Sequence, residues 1–203
     1  GCCLPAYPNS SQPRNFAVYN SKLYFTADTP SWAGELWQSD GTFTNTFRLS
    51  SILPGDSSAN VTNLVVFSNT LFFAANGATG TELYATDGTI TGTGLFLDLN
   101  AASSGAPSNF KVVGDQLFFI ATLDNVTTGR ELWVTDGTVT GTQQVKNLVA
   151  GSGTPSIQGM TALDDLLIFS ATDGTNGREI WASDGTLTGT VMISNIHPSL
   201  SSN

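Results

Sequence analysis

The chain has 203 residues, of which 11% are charged and 40% hydrophobic, and it carries a net charge of −9. Its seven basic residues, Arg14, Lys22, Arg48, Lys111, Arg130, Lys146 and Arg178, form no cluster that would neutralise phosphates, which excludes nucleic acid as a partner. No run approaches the ~20 apolar residues a membrane-spanning helix needs, so no transmembrane segment is expected.

Residues 1–13, rich in Pro, Ser and Asn, read as an N-terminal arm. It holds the only cysteines, Cys2 and Cys3. Adjacent cysteines pair with each other only in a strained ring, so a crosslink to another chain or a lipid on one of them is the expectation. Gly1-Cys2 is similar to the end of a lipoprotein signal.

From Arg14 onward, short β-rich runs alternate with turn residues. Asn20-Ser21, Ser68-Asn69, Gly114-Asp115 and Asp164-Asp165 are pairs that tolerate positive φ in a tight hairpin. Side chains alternate, with Leu23, Phe25 and Ala27 on one face and Tyr24 and Thr26 on the other. A loop follows, and then a segment that occurs four times: Glu-Leu-Trp-Gln-Ser-Asp-Gly-Thr, Glu-Leu-Tyr-Ala-Thr-Asp-Gly-Thr, Glu-Leu-Trp-Val-Thr-Asp-Gly-Thr and Glu-Ile-Trp-Ala-Ser-Asp-Gly-Thr. Its aspartates, Asp40, Asp87, Asp136 and Asp184, lie 47, 49 and 48 residues apart.

Each aspartate is a structural turn residue, accepting N–H groups inside its own turn while Gly takes the left-handed position. A second glycine, at Gly92, Gly141 and Gly189, is replaced by Asn45 in the first copy, as expected where φ is positive. Trp37, Tyr84, Trp133 and Trp181 at the centre of the third strand are read as packing residues between repeats.

Four β-runs per period of nearly 50 residues predict an all-β chain, a β-propeller of four four-stranded antiparallel blades. Half of an eight-bladed ring and an open repeat array are the alternatives. The blades are placed at about 14–50, 62–99, 108–149 and 158–197, forming a single domain over 14–197 with a tail at 198–203.

The repeated segments resemble the ELWxxDGT repeat family of large bacterial proteins, across residues 14–197. Tyr84 and Ile180 depart from the motif. The resemblance implies a propeller-like β structure and a secreted or surface module, and it brings no catalytic residue set. The Asp-Gly-Thr turn is also similar to the Asp-box of sialidase-type propellers, where it is structural.

Searching for chemistry yields little. The single histidine, His197, sits beside Pro198 in a linker and reads as a solvated bystander, and soft-metal clusters of Cys and His are missing. Glu35, Glu82, Glu131 and Glu179 open the third strands once per repeat and read as architectural. The loops between second and third strands are richer in oxygen. Asp124, Asp173 and Asn176 there suit turn capping first and calcium second, with no other cofactor expected. Trp32, beside Asp28 in the first such loop, is a candidate sugar-stacking or partner-anchoring residue, with Arg130 and Arg178 in the matching loops. Trp32 covering the blade edge or the arm is the competing reading.

Three glycosylation sequons, at Asn9, Asn60 and Asn125, fall in predicted loops or the arm. The reading is a non-enzymatic extracellular or cell-surface module, structural or adhesive, that self-assembles as a homo-oligomer or polymer. A carbohydrate-binding propeller lectin with glycan partners is the alternative, and a glycoside hydrolase-like enzyme a third.

Overall fold

A computed structural model describes residues 10–29, 33–49, 52–53, 58–123 and 129–196. Among the described residues, sixteen strands make four four-stranded antiparallel sheets, each a simple meander, and no helix occurs. The first sheet holds β1 (Arg14–Tyr19), β2 (Lys22–Ala27), β3 (Glu35–Ser39) and β4 (Phe47–Arg48). The second holds β5 (Thr62–Phe67), β6 (Thr70–Gly77), β7 (Gly80–Thr86) and β8 (Gly94–Leu97). The third holds β9 (Ser108–Val113), β10 (Gln116–Thr122), β11 (Arg130–Thr135) and β12 (Gln143–Lys146). The fourth holds β13 (Gln158–Leu163), β14 (Leu166–Thr172), β15 (Arg178–Ser183) and β16 (Val191–Ser194). The chain divides into two compact units, Gly1–Phe96 and Leu97–Asn203.

Within each unit, one sheet lays a face on the next. In the first unit β1 lies beside β5, and Tyr19, Tyr24, Leu36 and Leu49 pack with Leu71, Phe73, Ala75 and Tyr84. In the second, β9 lies beside β13, and Phe118, Ile120, Leu132 and Val134 pack with Leu167, Phe169, Ala171 and Trp181. One rule serves both units: the even-placed face of a sheet receives the aromatic face of its successor. Each large side chain buried this way contributes about 1.5–3 kcal/mol.

The hairpins between first and second strands use their left-handed residues in two ways. Asn20-Ser21 and Ser68-Asn69 have positive φ at both positions, whereas Gly114 and Asp164 carry it at the first position alone. The first strands also hold a feature that periodicity did not suggest. Asn15, Asn63, Asn109 and Gly159 are all left-handed (φ 53 to 64°) and coincide with a shift of register in every first strand. Only glycine and asparagine serve this bulge.

The Asp-Gly-Thr turns form a closed hydrogen-bond circuit. Asp136 Oδ1 accepts the Thr138 N–H (2.8 Å) and hydroxyl (2.7 Å), the Gly137 N–H reaches Thr135 Oγ1 (3.0 Å), and the Thr142 hydroxyl donates to the Thr138 carbonyl (2.7 Å). Asp40, Asp87 and Asp184 repeat the aspartate contacts. Gly41, Gly88, Gly137 and Gly185 are left-handed, as expected.

The second glycine has a different cause from the one expected. Gly92, Gly141 and Gly189 are not among the positive-φ glycines; a Cβ there would run into the carboxylate of Asp87, Asp136 or Asp184. Asn45 meets the same carboxylate with a donor, its Nδ2 lying 2.7 Å from Asp40 Oδ2.

Candidate functional site

Each sheet carries a row across its strands, built from one residue of the first strand, a Phe of the second and the motif aromatic of the third. The rows are Phe16–Phe25–Trp37, Leu64–Phe73–Tyr84, Phe110–Phe119–Trp133 and Met160–Phe169–Trp181. Neighbouring aromatic rings in these rows lie 5.6 to 6.5 Å apart, and each Phe of a second strand is tilted 20 to 25° against its third-strand aromatic. Aromatic pairs favour such offset arrangements.

Three of these rows are covered. Phe73, Phe119 and Phe169 are at most 1% exposed, and Tyr84, Trp133 and Trp181 at most 6%. The buried indoles of Trp133 and Trp181 donate to the Ala121 and Ala171 carbonyls, both at 3.2 Å. The first row is open. Phe16 is 61% exposed, Phe25 and Trp37 are half-buried, and Val18 and Leu23 beside them reach solvent. Trp37 therefore departs from the expectation that all four motif aromatics pack between sheets.

The fourth position of the row separates the sheets further. Arg48 is the cross-strand partner of Trp37, where Gln144 pairs with Trp133 and Met192 with Trp181. Met192 packs into the core of the second unit beside Trp181. Arg48 stands across from Trp37 with its Nη1 buried, and its charge draws buried Glu35 toward ionisation. Burial is the larger influence on Glu35 and raises its pKa above the ordinary carboxylate value.

Three of the strand-opening glutamates, Glu35, Glu131 and Glu179, hold the chain that leaves the fourth strand. Glu131 Oε2 accepts the Leu148 N–H (3.1 Å) and Glu179 Oε2 the Ile196 N–H (2.8 Å), while Ile52 serves Glu35 at the same interval. Asn147 turns its amide nitrogen toward Glu131 Oε1 (3.2 Å). Burial pushes the Glu131 carboxyl up to about 7. These carboxylates face backbone, not an open site.

The loop residues singled out in the sequence are engaged locally. Asp28 accepts the Gly34 N–H (2.7 Å) and pairs with Arg14 (3.1 Å), which holds its carboxyl below the usual range against the opposing effect of burial. Arg130 donates to the Ser108 hydroxyl, and Arg178 to the Ser156 carbonyl (2.7 Å), so both turn back onto their own sheet. Asp173 accepts the Thr175 and Asn176 N–H groups on Oδ1 (2.8 Å each) and the Asn176 amide on Oδ2 (2.7 Å), a turn that occupies both oxygens. No group of three metal-ligating side chains occurs among the described residues. Trp32, Asp124, Cys2 and Cys3 lie outside the described residues. The structure thus shifts attention from the loops to the Phe16–Phe25–Trp37–Arg48 face. Its signal in the sequence was Arg48 at a position that is uncharged in the other copies.

No protein-family model matches the sequence, and no curated protein matches it. Among solved structures, a puromycin hydrolase in complex with PGG matches with a TM-score of 0.56 at 13% identity, over 90% of this chain and 28% of its own. A prolyl endopeptidase matches with a TM-score of 0.54 at 13% identity, over 85% and 24%. The four sheets are propeller blades. An exo-β-1,3-galactanase from Phanerochaete chrysosporium matches at a TM-score of 0.45 and 13% identity, over 91% of this chain and 50% of its own. The chain spans about a quarter of the length of the first solved structures it matches.

The puromycin hydrolase and the prolyl endopeptidase are enzymes. The expectation of a non-enzymatic, structural or adhesive module is corrected accordingly. The blade architecture is one that hydrolases carry, and the lack of a histidine-centred constellation is no argument against catalysis, because glycoside hydrolysis runs on carboxylates alone.

Proposed function

We propose that this chain is the glycan-binding propeller portion of a carbohydrate-active, glycoside hydrolase-like protein, with the open face of the first blade as its sugar-binding surface. The observation that carries the reading is the Phe16–Phe25–Trp37 row, where Phe16 is exposed and Phe25 and Trp37 are half-buried, whereas the second- and third-strand aromatics of the other three rows are buried. Aromatic rings offer apolar surface to the C–H faces of a sugar. An extracellular setting belongs to the same proposal and is supported by the ELWxxDGT resemblance.

The test is affinity electrophoresis of the whole chain in gels containing xylan, arabinan or β-1,3-galactan, with release of reducing ends measured on the same polymers. Retardation by a polymer that disappears in Trp37→Ala, in a protein with unchanged far-UV circular dichroism, supports the reading. Migration unaffected by every polymer overturns it. Reducing ends released by the chain, and lost on a single carboxylate substitution, would assign the hydrolytic step to this chain itself.

A further inference from the structure

Two steps of the chain join asparagine directly to glycine, Asn76-Gly77 and Asn176-Gly177. Such a step is chemically reactive, because a glycine nitrogen has no β-carbon beside it to shield it from the preceding side-chain amide. Attack by that nitrogen on the amide carbon closes a five-membered imide ring. How tightly the fold holds the two residues decides whether the ring can form.

The first step is held. Asn76 and Gly77 lie in β6 and pair with Thr81 and Gly80. The Asn76 N–H donates to the Ala59 carbonyl (2.7 Å), its amide oxygen accepts the Thr81 hydroxyl, and the Tyr84 hydroxyl fills the space over Gly77. The second step is open. The β14–β15 ladder ends at the Thr172–Arg178 pair, which leaves Gly177 outside it. Gly177 is exposed and left-handed (φ 78°), and a β-carbon there would meet nothing within 4 Å beyond its chain neighbours. No hydrogen bond holds its N–H among the described residues.

The Asn176 amide is also polarised for attack. Asn195 Nδ2 donates to Asn176 Oδ1 (3.1 Å), the oxygen on which negative charge collects as the ring closes. Asn176 Nδ2 donates in turn to Asp173 Oδ2 (2.7 Å), so the nitrogen that would depart is one that caps the turn. The Asp-Gly steps at Asp40, Asp87, Asp136, Asp173 and Asp184 do not compete. Neighbouring hydrogen bonds hold these carboxyls below the ordinary value, and an ionised carboxylate offers no leaving group.

We propose that Asn176 is a site of spontaneous deamidation. The Gly177 nitrogen bonds to Asn176 Cγ as its proton passes to solvent base, the Cγ–Nδ2 bond breaks, and the departing nitrogen takes up a proton and leaves as ammonia. Water then opens the ring at either carbonyl, giving aspartate or isoaspartate. Water is the only co-reactant, and the chain gains one negative charge. That charge arises where Asp173 Oδ2 had received a donor, so two carboxylates now face each other across the turn. Asn195 keeps an acceptor. The modification therefore opens the turn between β14 and β15 and leaves their ladder in place.

The test is prolonged incubation of the whole chain in mildly alkaline buffer, followed by isoelectric focusing and by peptide mapping with enzymatic methylation of isoaspartate. The first acidic species to form is expected to carry aspartate and isoaspartate in place of Asn176, with Asn76 intact, at a rate proportional to hydroxide. In urea, Asn76 should react as well. Gly177→Asn keeps a residue that tolerates the left-handed conformation and sets a β-carbon beside the attacking nitrogen, so the acidic species should be lost over the same interval. Asn176→Asp should focus with the aged protein. Asn176 that stays intact in the folded chain yet reacts in urea, Asn76 that reacts as fast as Asn176 in the folded chain, or Gly177→Asn that ages like the wild type would each overturn the proposal.

Discussion

The Asp136 carboxylate occupies the space that a side chain at Gly141 would need. The two residues are five apart in sequence, yet the turn folds one over the other, and Gly141 reinforces the arrangement by donating its N–H to Thr138 Oγ1 (3.0 Å). The same pairing joins Asp87 to Gly92 and Asp184 to Gly189.

Gly141→Ala is therefore expected to destabilise the second unit by about 1–3 kcal/mol, the usual cost of forcing a methyl into filled space. In an Asp136→Ala background the same change should cost much less, since the obstructing group is gone. Gly141→Asn should be milder than Gly141→Ala, because the Asn45–Asp40 contact shows how an amide can meet this carboxylate. Urea denaturation of the three single variants and the double variant measures the coupling. Additive effects would show that the glycine is there for some other reason.

Stability should pass through a maximum on the acid side of neutrality. Burial raises Glu131 from 4.5 to about 7, so the folded state holds a proton that the unfolded state has released, and stability falls as pH rises through that window. A shift of that size corresponds to a loss on the order of 3 kcal/mol. The turn aspartates act in the opposite sense. Thr hydroxyls and N–H groups hold Asp40, Asp87, Asp136 and Asp184 below the ordinary value of 3.8, so their contribution is present above it and disappears as pH falls through the lowered values. Thermal unfolding from pH 3 to 8 should give the highest midpoint near pH 4 to 5. Glu131→Gln should flatten the alkaline limb, and Thr138→Ala should move the Asp136 carboxyl titration upward by NMR. A wild-type midpoint that keeps rising to pH 8 would contradict the assignment to Glu131.

Much of this architecture is written locally, and what is local was legible. Hairpin pairs such as Asn20-Ser21 and the Asp-Gly-Thr turns depend on residues within a few positions of each other, so their chemistry can be read from the chain. The second glycine was misread because the governing quantity at Gly141 is the space taken by Asp136, not its own φ. The left-handed bulge residues escaped because Asn15, Asn63, Asn109 and Gly159 sit inside strands that alternate normally on either side. The open row escaped for a larger reason. Phe25-to-Trp37 and Phe169-to-Trp181 are the same motif in sequence, and only the packing of one sheet on another makes one pair accessible and the other core. Asp173 and Arg178 looked like ligand groups because a turn cap and a binding loop draw on the same residue types.

Ala106 stands in the left-handed region (φ 46°) just before β9, at the place where Asn60 and Ser156 sit in the neighbouring linkers with similar φ. A β-carbon makes that conformation unfavourable by roughly 1–2 kcal/mol, and glycine relieves it at a smaller entropic cost. Ala106→Gly is expected to stabilise the fold by a few tenths to about 1 kcal/mol, which is unusual for an alanine replaced by glycine. The check is the denaturation midpoint at constant slope. A lower midpoint would mean that the linker relaxes out of this conformation in solution.

Trp37 and Trp133 occupy the same motif position and should fail in different ways. Trp133 is 5% exposed, donates to the Ala121 carbonyl and stacks on a Phe119 that has no exposed surface. Its replacement by Ala should cost about 3–5 kcal/mol, the range for deleting a large core aromatic. Trp37 is half-buried and stacks on a half-buried Phe25, so Trp37→Ala removes less packing and should lower the melting temperature clearly less. If the first blade is a binding surface, the order reverses for polysaccharide retention: Trp37→Ala abolishes it, whereas Trp133→Ala, measured below its own unfolding temperature, keeps it. Equal thermal losses in the two variants, with retention unchanged in both, would show that the Trp37 face is covered in solution and is not a binding surface.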